Sequence, residues 1–118
     1  MRDTPQNLHN KILGKRGERA AARELKKRGG KILARNYKTP FGEADLIVQM
    51  GETLVFCEVK TRLNDRFGTG AEAVERHKQR RYRDIARFYM MRLGREVRVR
   101  FDVAEVYPDR VNVIEGAF

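Results

Sequence analysis

Two neighbouring runs constrain this chain more than any other feature: Gly42-Glu43-Ala44-Asp45-Leu46-Ile47-Val48 and Leu54-Val55-Phe56-Cys57-Glu58-Val59-Lys60-Thr61-Arg62, with a short break at Met50-Gly51-Glu52 between them. β-Branched and aromatic residues dominate both, so both read as strands. Each nevertheless carries acid where a core wants carbon. In the second run the period of two puts Leu54, Phe56, Glu58 and Lys60 on one face and Val55, Cys57, Val59 and Thr61 on the other. With Gly51-Glu52 as a two-residue type II′ turn, glycine first, Met50 faces Thr53 and Val48 faces Val55. The same register sets Asp45 opposite Glu58 and Glu43 opposite Lys60.

Directly opposed carboxylates, with Cβ atoms about 5 Å apart, repel by about 3 kcal/mol at an effective dielectric of about 20. A cation is expected between them. Lys60 supplies one charge, while a hard divalent ion, Mg2+ with Mn2+ as its substitute, suits one or two carboxylates completed by water and phosphate oxygens. The competing account is a cross-strand ion network on a solvated sheet face. The large apolar residues sharing that face count against it.

The 118 residues are one domain's worth, so residues 1–118 are expected to form a single unit. A net charge of +10 and a pI near 10.3 point to a polyanionic partner, and an apolar share of 41% keeps the chain in the globular class. Nucleic acid, DNA first, is the expected partner. The apolar runs are only a strand long and residues 1–10 have no signal-peptide core, so neither membrane nor export is expected and the location reads as cytoplasmic. The single cysteine, Cys57, falls on the core side of its strand and reads as a small buried hydrophobe.

Along the chain, residues 1–10 read as a loose tail. Helix formers then crowd up to Arg28, where Gly29-Gly30 is a stop. Gly14, Glu18, Ala21, Ala22 and Leu25 share one stripe of that helix, apolar apart from Glu18. An acid on a buried face is costly unless paired or coordinated; alternatively Glu18 swings outward to Lys15 or Arg19. Ile32 to Tyr37 reads as a first strand, and residues 62–70, with two glycines, as a mobile loop on which Phe67 either packs or stacks on a base.

Residues 71–93 read as a second helix whose inward stripe is Val74, Lys78, Tyr82 or Arg81, Ile85, Phe88 and Tyr89. Lys78 on that stripe either snorkels outward or reaches a phosphate. Arg76, Arg80, Arg81, Arg83 and Arg87 make the other face basic, and arginine's planar fork suits phosphate oxygens. His9 and His77 read as structural or exposed. Residues 96–107 and 111–114 read as two more strands, with Asp102 either an extra acid or, sufficiently, a cross-strand partner for Arg98 or Arg100. The order α-β-β-β-α-β-β gives a mixed α/β sheet flanked by helices: an antiparallel meander, then a helical crossover to a strand parallel with the third.

Asp45 followed on the next strand by Glu58-Val59-Lys60 resembles the PD-(D/E)XK nucleases. Glu-x-Lys alone occurs by chance in many proteins; a longer string is far more specific. Gly17-Glu18, Asn36-Tyr37, Phe41-Gly42-Glu43-x-Asp45-Leu46-Ile47, Phe56-x-Glu58-Val59-Lys60-Thr61-Arg62, Phe67-Gly68, Phe101-Asp102-Val103 and Ala117-Phe118 together resemble the YraN family of small bacterial predicted endonucleases, itself similar in pattern to archaeal Holliday junction resolvases. The resemblance covers almost the whole chain. It implies a restriction endonuclease-like fold and metal-dependent hydrolysis of DNA phosphodiesters, branched or junction DNA included. By the same resemblance Asp45, Glu58 and the Val59 carbonyl hold Mg2+, Glu18 joins the site from the first helix, and Lys60 orients the attacking water and stabilises charge on the attacked phosphate. Thr61 and Arg62 lie where the strand end could meet the scissile phosphate. Lys78 and Arg81 are the phosphate contacts expected from the second helix. A junction-cutting enzyme is expected to pair as a homodimer, because two strands must be nicked symmetrically. The alternative is a non-catalytic nucleic-acid-binding protein that keeps the fold and the charge.

Overall fold

The computed structural model describes residues 5–62 and 76–118, with side chains from residue 13 of the first helix onward. Its elements are α1 (Pro5–Lys27), β1 (Lys31–Thr39), β2 (Gly42–Met50), β3 (Thr53–Thr61), α2 (Arg76–Leu93), β4 (Arg98–Val106) and β5 (Val111–Ile114). The sheet runs β1-β2-β3-β4-β5. Only β3 and β4 are parallel; the other neighbours are antiparallel. A helical crossover between β3 and β4 is what that parallel pair requires, so the expected order and architecture hold. The expected loop after Arg62, with Phe67, and the start of the second helix, with Val74, lie outside the described residues.

The first helix begins at Pro5 and not beyond Asn10, which corrects the expected tail. Proline is at home in the first helical position because its missing N–H has no partner there in any case. Ala21, Ala22 and Leu25 bury the inner face as the stripe requires. The close approach is made by Gly17, buried against Thr61 so tightly that a Cβ would collide with the Thr61 Oγ1; a Cβ at Gly14 would meet no described atom within 4 Å. At the end of α1 the Gly30 N–H donates to the Leu25 carbonyl at 2.9 Å and the Gly29 N–H to that of Lys26 at 3.0 Å.

Each helix covers one face of the sheet. Ala21, Ala22 and Leu25 of α1 pack on Leu46, Val48, Val55, Cys57, Ala104 and Val106. Tyr82, Ile85 and Ala86 of α2 pack on Ala44, Ile47, Leu54 and Phe56. Cys57 is accordingly buried in the α1 core, and burial pushes its thiol upward, away from reactivity. The residues after β5 close the α2 side. The Ala117 N–H donates to the Phe101 carbonyl at 2.8 Å, and the Phe118 ring stacks on Phe101 and meets Tyr82 edge-on, both at 5.4 Å.

One irregularity positions the site. Leu46 and Val48 face α1 and Ile47 faces α2, yet Ala44 also faces α2, two residues from Leu46. A regular strand puts residues two apart on one face, so β2 rotates at Asp45. Asn36, between the pairs Arg35↔Leu46 and Tyr37↔Ala44, is the only described non-glycine residue with positive φ, at 50°. Asparagine tolerates this left-handed conformation better than most residues. The two strands therefore turn over together at Asn36 and Asp45.

Candidate active site

The β2–β3 hairpin keeps the register set by its turn: Met50↔Thr53, Val48↔Val55 and Leu46↔Cys57. Gly51 has φ +60°, as the first position of a type II′ turn demands. Pairing then stops. Asp45 and Glu58 are not ladder partners and neither are Glu43 and Lys60; Glu43 instead faces Lys38 across β1, a correction to the expected register. Counting every second pair from the turn, the Val59 N–H would next bond to the Ala44 carbonyl. It donates to Asp45 Oδ2 instead, at 2.8 Å. The rotation of β2 thus exchanges a backbone bond for a carboxylate bond.

Tyr82 enters where the strands part. Its hydroxyl accepts the Asp45 N–H at 3.4 Å and donates to Glu58 Oε2 at 2.6 Å. One atom therefore touches both acidic residues. Lys78, one turn earlier on α2, donates its ammonium to Glu58 Oε1 at 2.6 Å. Both oxygens of Glu58, which is only 7% exposed, are engaged. Among the described residues no ammonium or guanidinium pairs with Asp45. Burial first, then the Glu58 carboxylate, push the Asp45 carboxyl from 3.8 up to about 7, against the pull of the Val59 N–H; Glu18 adds to the rise and Lys78 opposes it. Burial and the same two carboxylates raise the Tyr82 phenol, which keeps it a donor.

Two adjacent carboxylates, one with its proton affinity raised, are short of positive charge, and a hard cation completed by water and phosphate oxygens suits that donor set. Among the described residues no group of three or more His, Cys, Asp or Glu is close enough to hold a metal ion. The carboxylates that could hold a cation here are thus two, Asp45 and Glu58, with the Val59 peptide tied to Asp45 beside them. Glu18 comes near enough for its charge to act on Asp45, but its Oε2 accepts the Asn36 amide at 3.0 Å. The structure brings it to the approach and not into a three-carboxylate cluster.

The remaining candidates divide. Lys60 follows Glu58 at the same period on β3 and lies half-buried, level with Glu105 of β4. Thr61 is exposed at the strand end beside Gly17. The Arg62 N–H donates to the Val106 carbonyl at 2.7 Å, and its buried guanidinium Nε, without a hydrogen-bond partner among the described residues, lies 4.0 Å from Glu105 Oε2. Arg81 is half-buried, its aliphatic stem lying over Gly42. Lys78, expected either outward or on a phosphate, is turned inward onto Glu58. Lys15, Arg16, Arg19, Arg23, Lys26 and Lys27 of α1, and Arg76, Arg80, Arg83 and Arg87 of α2, are exposed. With α1 and α2 on opposite faces, these basic surfaces look in opposite directions.

Residues 17–106 match the model of the uncharacterised protein family UPF0102, which spans the helix, the hairpin and β4. The chain belongs to this family. It is 42% identical over 106 residues to a UPF0102 protein of Thermodesulfovibrio yellowstonii, covering 90% of this chain and 95% of the relative. A UPF0102 protein of Symbiobacterium thermophilum is 48% identical over 112 residues, with 90% and 95% covered. One of Clostridioides difficile is 38% identical over 114 residues, with 94% and 100% covered.

Two polar side chains that this UPF0102 chain buries are not singled out by its sequence. Tyr82 was one of two choices with Arg81 on the helical wheel, and only the placement of α2 separates a core ring from a site hydroxyl. Glu105 is wholly buried; it accepts the Asn112 amide at 2.9 Å and the Tyr107 hydroxyl at 3.4 Å. Asp102, equally buried, is held by Arg100 through two bonds at 2.9 and 3.0 Å and by the Gly116 N–H at 3.0 Å. Arg100 therefore accounts for Asp102 without a catalytic role.

Proposed function

We propose that this protein is a divalent-cation-dependent endonuclease of the PD-(D/E)XK type acting on DNA. The observation that carries the reading is the Asp45–Glu58 pair: one hydroxyl joins the Asp45 N–H to the Glu58 carboxylate, and burial together with the Glu58 charge raises the Asp45 carboxyl to about 7. Asp45 and Glu58, with the Val59 carbonyl, would hold Mg2+ or Mn2+. When bound, the cation supplies Lewis acidity and lowers the pKa of its water. The chain's residues do the rest. Tyr82 and the Val59 N–H fix the two carboxylates, and Lys60 places its positive charge where negative charge develops on the attacked phosphate, a fixed electrostatic contribution that needs no reorganisation. Glu18 acts on Asp45 through its charge, and the Asn36 amide orients it. The exposed cations of α1 and α2 take backbone phosphates and supply affinity without reading sequence. No helix among the described residues is long and apolar enough to cross a membrane. The working location proposed is the cytoplasm, with a homodimer as the form that nicks two strands.

A second reading, a binding protein that does not cleave, is favoured by one observation: Lys78 already neutralises Glu58. Pure protein incubated with labelled linear, flapped and four-way DNA, in Mg2+ or Mn2+ against chelator, decides between them. Cleavage confined to the metal lanes is expected. Binding without cleavage on every substrate in both metals would leave the second reading.

A further inference from the structure

The two partners of Glu58 differ in kind. Tyr82 is 1% exposed, held by the Asp45 N–H on its oxygen and by the Phe118 ring against its own. Lys78 reaches Glu58 from the third position of α2 on a four-carbon stem, with its side chain 34% exposed. The tyrosine is locked; the lysine enters from the solvent side and can leave the same way. Its charge sits on Glu58, at 2.6 Å, and acts on Asp45 less than burial, Glu58, the Val59 N–H and Glu18 do. Lysine ammonium is a compact, strongly hydrated point charge, so returning it to water carries little penalty.

We infer that Lys78 is a displaceable internal counter-ion: it neutralises Glu58 while no divalent cation is bound and yields Glu58 Oε1 when one arrives. This rests on the divalent-cation site proposed above. The lysine would then set the cation affinity of the site, weakening it so that metal is held firmly only when a phosphate joins. A lysine that merely stabilises the fold would have no such effect. A unit positive charge a few ångströms from the cation repels it, and removing the charge should tighten binding about tenfold or more.

The test is calorimetric titration of Mn2+, without DNA, at pH 8 into the parent, Lys78→Met, Lys78→Gln and Tyr82→Phe. Lys78→Gln keeps a donor for Glu58, so it separates lost charge from a lost hydrogen bond and guards against misfolding of the methionine variant. Both lysine variants should bind Mn2+ about tenfold or more tightly than the parent, and Tyr82→Phe no more tightly than the parent. Mn2+ bound by the parent and by the lysine variants with equal affinity overturns this inference and leaves the cation site standing. Tightening by Tyr82→Phe equal to that of the lysine variants overturns it too, because loss of any Glu58 partner would then suffice. Absence of Mn2+ binding by all four proteins overturns the cation site and the inference together.

Discussion

Asp45→Asn should make this protein more stable at pH 8 and leave it unchanged at acid pH. In the folded chain the Asp45 carboxyl titrates at about 7, against 3.8 unperturbed. Between those values the native state holds a proton that the unfolded chain has released. The stabilisation this gives is complete below about pH 4, falls as the pH rises, and is gone above about pH 7. Each tenfold change in proton affinity corresponds to about 1.4 kcal/mol, so the ionised group destabilises the metal-free fold by up to about 4 kcal/mol. The amide keeps the shape and an oxygen for the Val59 N–H, and carries no charge. A gain of about 2–4 kcal/mol at pH 8 follows, roughly 8–16 °C for a domain of this size. Thermal unfolding of parent and variant across pH 4–8 in chelator reads it directly, because the difference between them cancels the carboxylates they share. A variant less stable than the parent at pH 8, or a difference independent of pH, would refute the reasoning.

Glu58→Gln should do the reverse: it leaves Lys78 without its carboxylate and sets an amide N–H₂ against one of two donors, lowering stability by about 2 kcal/mol or more in the same unfolding assay. Lys60→Ala should remove most cleavage and weaken DNA binding by up to about 1 kcal/mol, seen as a Kd rise of no more than about fivefold. DNA affinity of the parent should fall steeply with salt, with a slope of log affinity against log salt of about −4.5 for about five neutralised phosphates; a flat response would assign the exposed arginines of α1 and α2 another purpose.

The hairpin was legible because its register is local: Gly51 fixes the turn, and every pair up to Leu46↔Cys57 follows from it. The next pair was not, because β2 rotates at Asp45 in concert with Asn36 of β1, and neither residue's type announces a rotation. The α1 stripe was read correctly at Ala21, Ala22 and Leu25, while Gly17 replaced Gly14 as the contact because the helix meets β3 at Thr61. Asp45 and Glu58 were legible as acids in apolar strands. Their partners were not, since Lys78 and Tyr82 come from a helix docked far along the chain, and their aim depends on how α2 sits on the sheet. Glu105 shows the same limit: β4 buries Asp102 and Glu105 alike, and alternation alone says nothing of the Asn112 and Tyr107 groups that satisfy the latter.

If Asp45 serves a cation and not the fold, one side-by-side measurement shows it. Parent and Asp45→Asn, purified identically, are assayed for cleavage of the same labelled DNA in Mn2+ and in chelator, with melting temperatures taken on the same samples at pH 8. The variant should melt higher than the parent in chelator, bind DNA at least as tightly there, and cleave nothing in Mn2+. Cleavage by Asp45→Asn at the parental rate, or loss of cleavage only in step with loss of stability, would contradict it.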